Sequence, residues 1–221
     1  MRFFKLDRKL NLKYVLGEIL LLFIGINLAI WFNNWNSSKK INEGKKIAIS
    51  KITEEIEDNT LEINSVLKNN HEILNAFNDF KTIYDGNTSI IKANPKQVRL
   101  LTNKYPDFFS IKDSTALDNG IYRYRGITQI NLEIPTLTEI AWKTTTTLNV
   151  TNEFNYDCLY ELESIYNLQR RVQIEINKSA DALQKGELEE LMVILDFLNQ
   201  LGSQLIENYS SVKSNILNCS N

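Results

Sequence analysis

One histidine, two cysteines and adjacent carboxylate pairs are the side chains in this 221-residue chain whose types suit metal binding, redox or acid–base chemistry. His71 lies between Asn70 and Glu72 on a polar helix face, and with no second histidine it lacks the partners a His-based metal site requires. Cys158 and Cys219 are too far apart for a Cys-x-x-Cys site. In a helical hairpin turning at Gly186, position 158 faces about position 214, which leaves Cys219 about 7 Å further along the axis. Two separate thiols are therefore expected, with a disulfide in an oxidising compartment as the alternative. Glu54-Glu55 and Glu189-Glu190 read as solvated helix faces with no nucleophile or base beside them. There is no phosphate-cradling glycine loop and no catalytic serine motif. No catalytic, cofactor-binding or metal-binding residue is expected, and the pattern points away from an enzyme.

The stronger signal is an absence of charge. From Ile19 to Ser38 no residue is charged. The apolar stretch runs over 14–36, and at about 1.5 Å per residue it spans a bilayer core of roughly 30 Å. Tyr14 stands at one end and Trp31 and Trp35 at the other, where amphipathic rings anchor a helix to the interfaces. Gly25 and Ala29 form a small-xxx-small pair of the kind that lets helices approach closely. Glu18 and Asn27 are polar groups at membrane depth that call for a partner. These four residues are the candidates for helix association in the membrane.

Arg2, Lys5, Arg8, Lys9 and Lys13 precede the span, and Lys39, Lys40, Lys45 and Lys46 follow it. No small-residue cleavage site follows the apolar run, so it reads as an uncleaved signal anchor. Residues 1–13 are expected to be a basic cytoplasmic tail, with 37–221 outside the cytoplasm. The formal net charge is −2, and the first 36 residues hold five cations and two acids, leaving 20 cations and 25 acids for the rest. A net of −5 on that remainder gives no basic footprint, which excludes nucleic acid as an expected partner.

Gly17-Glu18-Ile19, Ile24-Gly25-Ile26 and Asn33-Asn34-Trp35-Asn36 together resemble the anchor signature of a family of single-pass membrane proteins of Bacteroidota. A looser patch, Ala141-Trp142, Leu159, Leu162, Ile165-Tyr166 and Gln169, is similar downstream. The resemblance implies a bacterial envelope location and a domain of unknown function, and it carries no activity with it.

The expected fold class is all-α: one transmembrane helix continuing into an antiparallel bundle of long helices, interrupted by an irregular insert at about 87–135. Ile49, Ile52, Ile56, Ile63, Val66, Ile73, Phe77 and Phe80 fall on one heptad seam of a helix over 38–84, with Asn59 and Asn70 at polar seam positions. Gly44 is the expected place for a bend, and Asp85-Gly86-Asn87 the stop. All three prolines, Pro95, Pro106 and Pro135, fall in the insert, with a short helix over 95–103. Thr136-Leu137-Thr138-Glu139 has the form of a capping box opening a helix with Trp142. Two long helices over 152–185 and 188–217 close the chain as a hairpin. Phe108, Phe109, Tyr122 and Tyr124, in the insert, are the candidate partner surface. Trp142 and Tyr166 are expected to pack together in the bundle.

These readings lead to the expectation of a membrane-anchored, non-enzymatic interaction or scaffold subunit. It would associate through the span and the heptad seam with itself or with another membrane protein. A ligand-sensing bundle and an oligomeric pore are the alternatives.

Overall fold

The structure, a computed structural model, describes residues 12–86, 88–216 and 219. The basic residues Arg2, Lys5, Arg8 and Lys9, the stop residue Asn87 and Leu217 lie outside the described residues. The chain is predominantly helical, with one small sheet.

Helix α1 (Leu12–Lys81) is a single 70-residue helix. Among the described residues it is the one helix long and apolar enough to cross a membrane, and none of its most apolar window is buried. The bend expected at Gly44 does not occur. Glycine weakens a helix by about 1 kcal/mol without breaking its hydrogen bonds, so α1 runs on through it. The helix stops at Lys81, one turn earlier than the Asp85-Gly86 signal, because Tyr84 already bridges Ile91 in the sheet.

From Ala48 onward the helix is core. All ten seam residues from Ile49 to Phe80, both asparagines included, are buried. They are covered within the chain by the C-terminal hairpin, α4 (Tyr156–Lys185) and α5 (Leu188–Asn215), and by α3 (Ile140–Thr147). The seam is therefore not available for association, which corrects that part of the sequence reading. A continuous apolar seam is satisfied equally well by a neighbouring helix of its own chain. At Gly202 of α5 an added Cβ would come within 2.7 Å of the Leu67 side chain, so a larger residue there would push the Leu67 methyls aside.

Asn70 is completely buried, and neither its Nδ2 nor its Oδ1 bonds to a protein group. An unsatisfied buried amide costs about 1–3 kcal/mol. Asn70→Leu is expected to raise stability by about 1–2 kcal/mol, read as a higher urea midpoint at unchanged slope. A loss of stability would show that the amide is satisfied in the folded chain.

The insert is not irregular. Strands β1 (Ile90–Ala93), β2 (Phe109–Ala116) and β3 (Tyr122–Thr128) form an antiparallel sheet in the order β1-β3-β2. Helix α2 (Pro95–Lys104) connects β1 to β2, and Asn94 and Gln97 form its capping box. The all-α expectation therefore describes the bundle and not the insert. Phe108 and Phe109 pack on Phe80 at ring distances of 5.6 and 5.4 Å. They are buried, as is Tyr124, while Tyr122 is half-buried. This aromatic group is thus the plug joining sheet to bundle and not a partner surface. Burial of large apolar rings dominates such a junction.

Asn155 caps α4, and Gly186, left-handed at φ +74°, ends it and turns the chain into α5. Cys158 and Cys219 are bonded, with Cα atoms 5.4 Å apart, which overturns the expectation of separate thiols. The straight-helix extrapolation fails because α5 ends at Asn215, so Cys219 does not advance along the helix axis at the helical rise.

Candidate functional site

The association candidates of the span all lie on α1 and are exposed: Glu18, Gly25, Asn27 and Ala29. Asn27 Nδ2 donates to the Phe23 carbonyl one turn back, 2.7 Å away, which occupies the amide locally on its own helix. No group lies within 4 Å of a Cβ added at Gly17 or Gly25, so close approach of another helix there is unobstructed. Tyr14, Trp31 and Trp35 are exposed at the two ends of the apolar stretch, with the Phe32 and Trp35 rings 5.9 Å apart.

The densest polar arrangement lies elsewhere, where α1, α3, α4 and α5 meet. On α1, Ala48 and Glu55 are buried beside the seam residues Ile52 and Asn59. Glu55 was expected on a solvated face. Instead its carboxylate accepts from the Ala141 amide at 2.8 Å, the Trp142 amide at 3.4 Å and the Tyr166 hydroxyl at 2.6 Å. Those two amides are free donors in the first turn of α3, where an anion is favoured by unpaired N–H groups and by the helix dipole. Glu55 thereby caps α3 from another helix. The Thr136–Glu139 capping box does not form: Glu139 precedes the helix without a side-chain cap.

Thr138 is held instead by Asn59, whose Oδ1 accepts from the Thr138 amide at 2.9 Å and whose Nδ2 donates to the Thr138 carbonyl at 2.8 Å. Gln169 Nε2 also donates to that carbonyl at 2.8 Å, and its Oε1 accepts from Asn59 Nδ2 and the Tyr209 hydroxyl. Trp142 stacks on Tyr166 with ring centroids 5.5 Å apart and planes 7° from parallel. At the edge, Glu139 pairs with Lys143 and Arg170, and Lys143 above all holds its carboxyl below the usual range.

Chemically this cluster is a clamp. Both oxygens of Glu55 accept from donors within the bundle, which leaves no free base facing solvent. Among the described residues no group of three or more His, Cys, Asp or Glu side chains is placed to hold a metal ion. His71 is exposed, and Tyr160 points to solvent while Tyr166, six residues later, is buried. The role of Glu55 was missed because the acidic pair Glu54-Glu55 looks uniform. Its spacing from Ile52 and Asn59, three and four residues, was the available signal.

Burial raises the Tyr166 hydroxyl well above its ordinary pKa, and Glu55 adds to the effect; burial likewise raises Tyr209. A folded-state pKa above the unfolded value means stability that is complete below about pH 10 and lost as pH rises beyond it. Between pH 9 and 11 the melting temperature is expected to fall more steeply for the wild type than for Tyr166→Phe. Equal slopes would mean that Tyr166 does not ionise on unfolding.

Comparison of the chain with protein-family models, with curated proteins and with solved structures gives no match.

Proposed function

We propose that this chain is a non-enzymatic, membrane-anchored interaction subunit of a bacterial cell envelope. Residues 14–36 cross the inner membrane once, the N-terminus is cytoplasmic, and the bundle stands in the periplasm. The observation carrying this reading is the continuity of α1: one helix supplies both the exposed apolar stretch and the buried spine of the bundle. Such a helix transmits any rotation or clamping of its membrane half to the folded half. The bonded Cys158–Cys219 pair supports an oxidising compartment.

Association runs through the membrane face of Gly25 and Ala29, with Glu18 on the same face as a polar contact to a second copy or another membrane protein, while Asn27, on the opposite side of the helix, offers its free Oδ1 to a different neighbour. The heptad seam takes no part, since the bundle fills it. The test is the mass of the detergent-solubilised full chain. An oligomer or a co-purifying membrane partner is expected, and a monomer alone would overturn the reading. Gly25→Leu should weaken a self-assembled species about tenfold, the effect of ~1.4 kcal/mol of lost helix packing. Unchanged assembly would exclude that face.

A further inference from the structure

Outside the span, exposed apolar side chains gather at the end of the bundle nearest to it. Ile47, Ile140 and Leu148 are 63%, 70% and 68% exposed. They flank a groove of about 430 Å³ between α1 and α3, whose floor includes Gly44, Ala48 and Ala141. A soluble surface avoids such a patch unless something covers it. We infer that this groove face docks on the anionic lipid surface of the membrane that holds α1, so that the bundle leans onto the bilayer. The inference rests on residues 14–36 being the span.

The nearness of the span and its length favour lipid as the occupant. Lys39 and Lys46, exposed on α1, face away from the groove, whereas Lys40, exposed one turn before Gly44, lies on its side. A lysine near an anionic surface is drawn to it. Lys51 and Lys143, at the groove itself, are already paired with Glu54 and Glu139 and add little. Gly44 lies eight residues beyond Asn36, or about 12 Å along the axis. An upright helix would hold the groove just clear of headgroups that extend about 5–7 Å past the hydrocarbon. A lean is available, however. The 23 residues of 14–36 measure about 34 Å against a core of roughly 30 Å, an excess relieved by tilting up to about 30°. Because α1 is unbroken, the bundle tilts with the span. At 20–30° a groove displaced by one helix spacing of about 8–10 Å comes down to headgroup level. The excess length permits the tilt, and the exposed apolar side, with Lys40 beside it, sets its direction.

The test uses the full chain in vesicles of three parts phosphatidylcholine to one part phosphatidylglycerol, with an environment-sensitive fluorophore on Leu148→Cys or, separately, on Val193→Cys. Both positions are exposed, and Val193 lies near the hairpin turn at the opposite end of the bundle. With a headgroup-attached nitroxide quencher, the label at position 148 should be quenched at least threefold more than the label at 193. Glu substitutions at Ile47 and Ile140 should abolish that difference. Equal weak quenching at both positions, in protein that resists carbonate extraction, would overturn the docking while leaving the span intact. Protein that carbonate extracts would overturn the span, and the docking with it. A label at 148 shielded only as the protein-to-lipid ratio rises would assign the groove to a second copy and also overturn the inference.

Discussion

Glu55→Ala is expected to destabilise the bundle by about 3–5 kcal/mol, the cost of removing one partner from a buried charged contact. The substitution leaves the Tyr166 hydroxyl and the Ala141 and Trp142 amides without their acceptor. Water does not easily replace it, because Tyr166 is completely buried and Trp142 nearly so. Tyr166→Phe removes one donor and leaves the carboxylate two amides, so a smaller loss of about 1.5–3 kcal/mol is expected for that charge-assisted bond. The double variant should cost less than the sum, since the bond can be lost only once. Urea unfolding of the full chain in detergent, followed by helical signal, measures all three. A Glu55→Ala midpoint matching the wild type would show that α3 does not depend on the carboxylate.

Breaking the Cys158–Cys219 bond should cost about 4 kcal/mol, from the loop-entropy relation applied to its closed loop, since the two cysteines are separated by 61 residues. The bond ties the first turn of α4 to the residues just past α5, closing the open end of the hairpin. Cys158→Ser with Cys219→Ser removes the constraint without leaving a free thiol. Its unfolding midpoint should match that of the reduced wild type. A change below about 1 kcal/mol would mean that the unfolded chain is already compact across this hairpin.

Much of this architecture can be read from periodicity. The 3-4 spacing from Ile49 to Phe80 marks one buried face, and Gly186 between two amphipathic stretches marks the hairpin. The period says that a face is covered, but not by what. The seam was accordingly read as an association surface when the chain's own helices fill it. The sheet was missed for a related reason. Its strands are four to eight residues long, with Asp113, Ser114, Arg123 and Arg125 among their apolar positions, so their alternation is weak beside the helical signal. Phe108 and Phe109, in a proline-containing stretch, looked like loop residues; their partner Phe80 is nearly thirty positions away in sequence.

The polar cluster was the least legible part. Glu55, Asn59, Thr138, Gln169 and Tyr209 come from three helices and a connecting segment, at separations of 31 to 111 residues. Nothing local distinguishes Glu55 from Glu54 except its place between Ile52 and Asn59. The spacing points to separate thiols because a helical rise applied past Asn215 places Cys219 beyond reach.

The central claim is that span and bundle share one unbroken helix. Spin labels at Ile30→Cys and Leu61→Cys, both exposed on α1, test it directly in the full chain in lipid nanodiscs by pulsed dipolar spectroscopy. The 31-residue separation should give one narrow distance near 47 Å, at about 1.5 Å per residue. A maximum below about 40 Å, as a sharp bend at Gly44 would produce, or a broad distribution, would contradict the account.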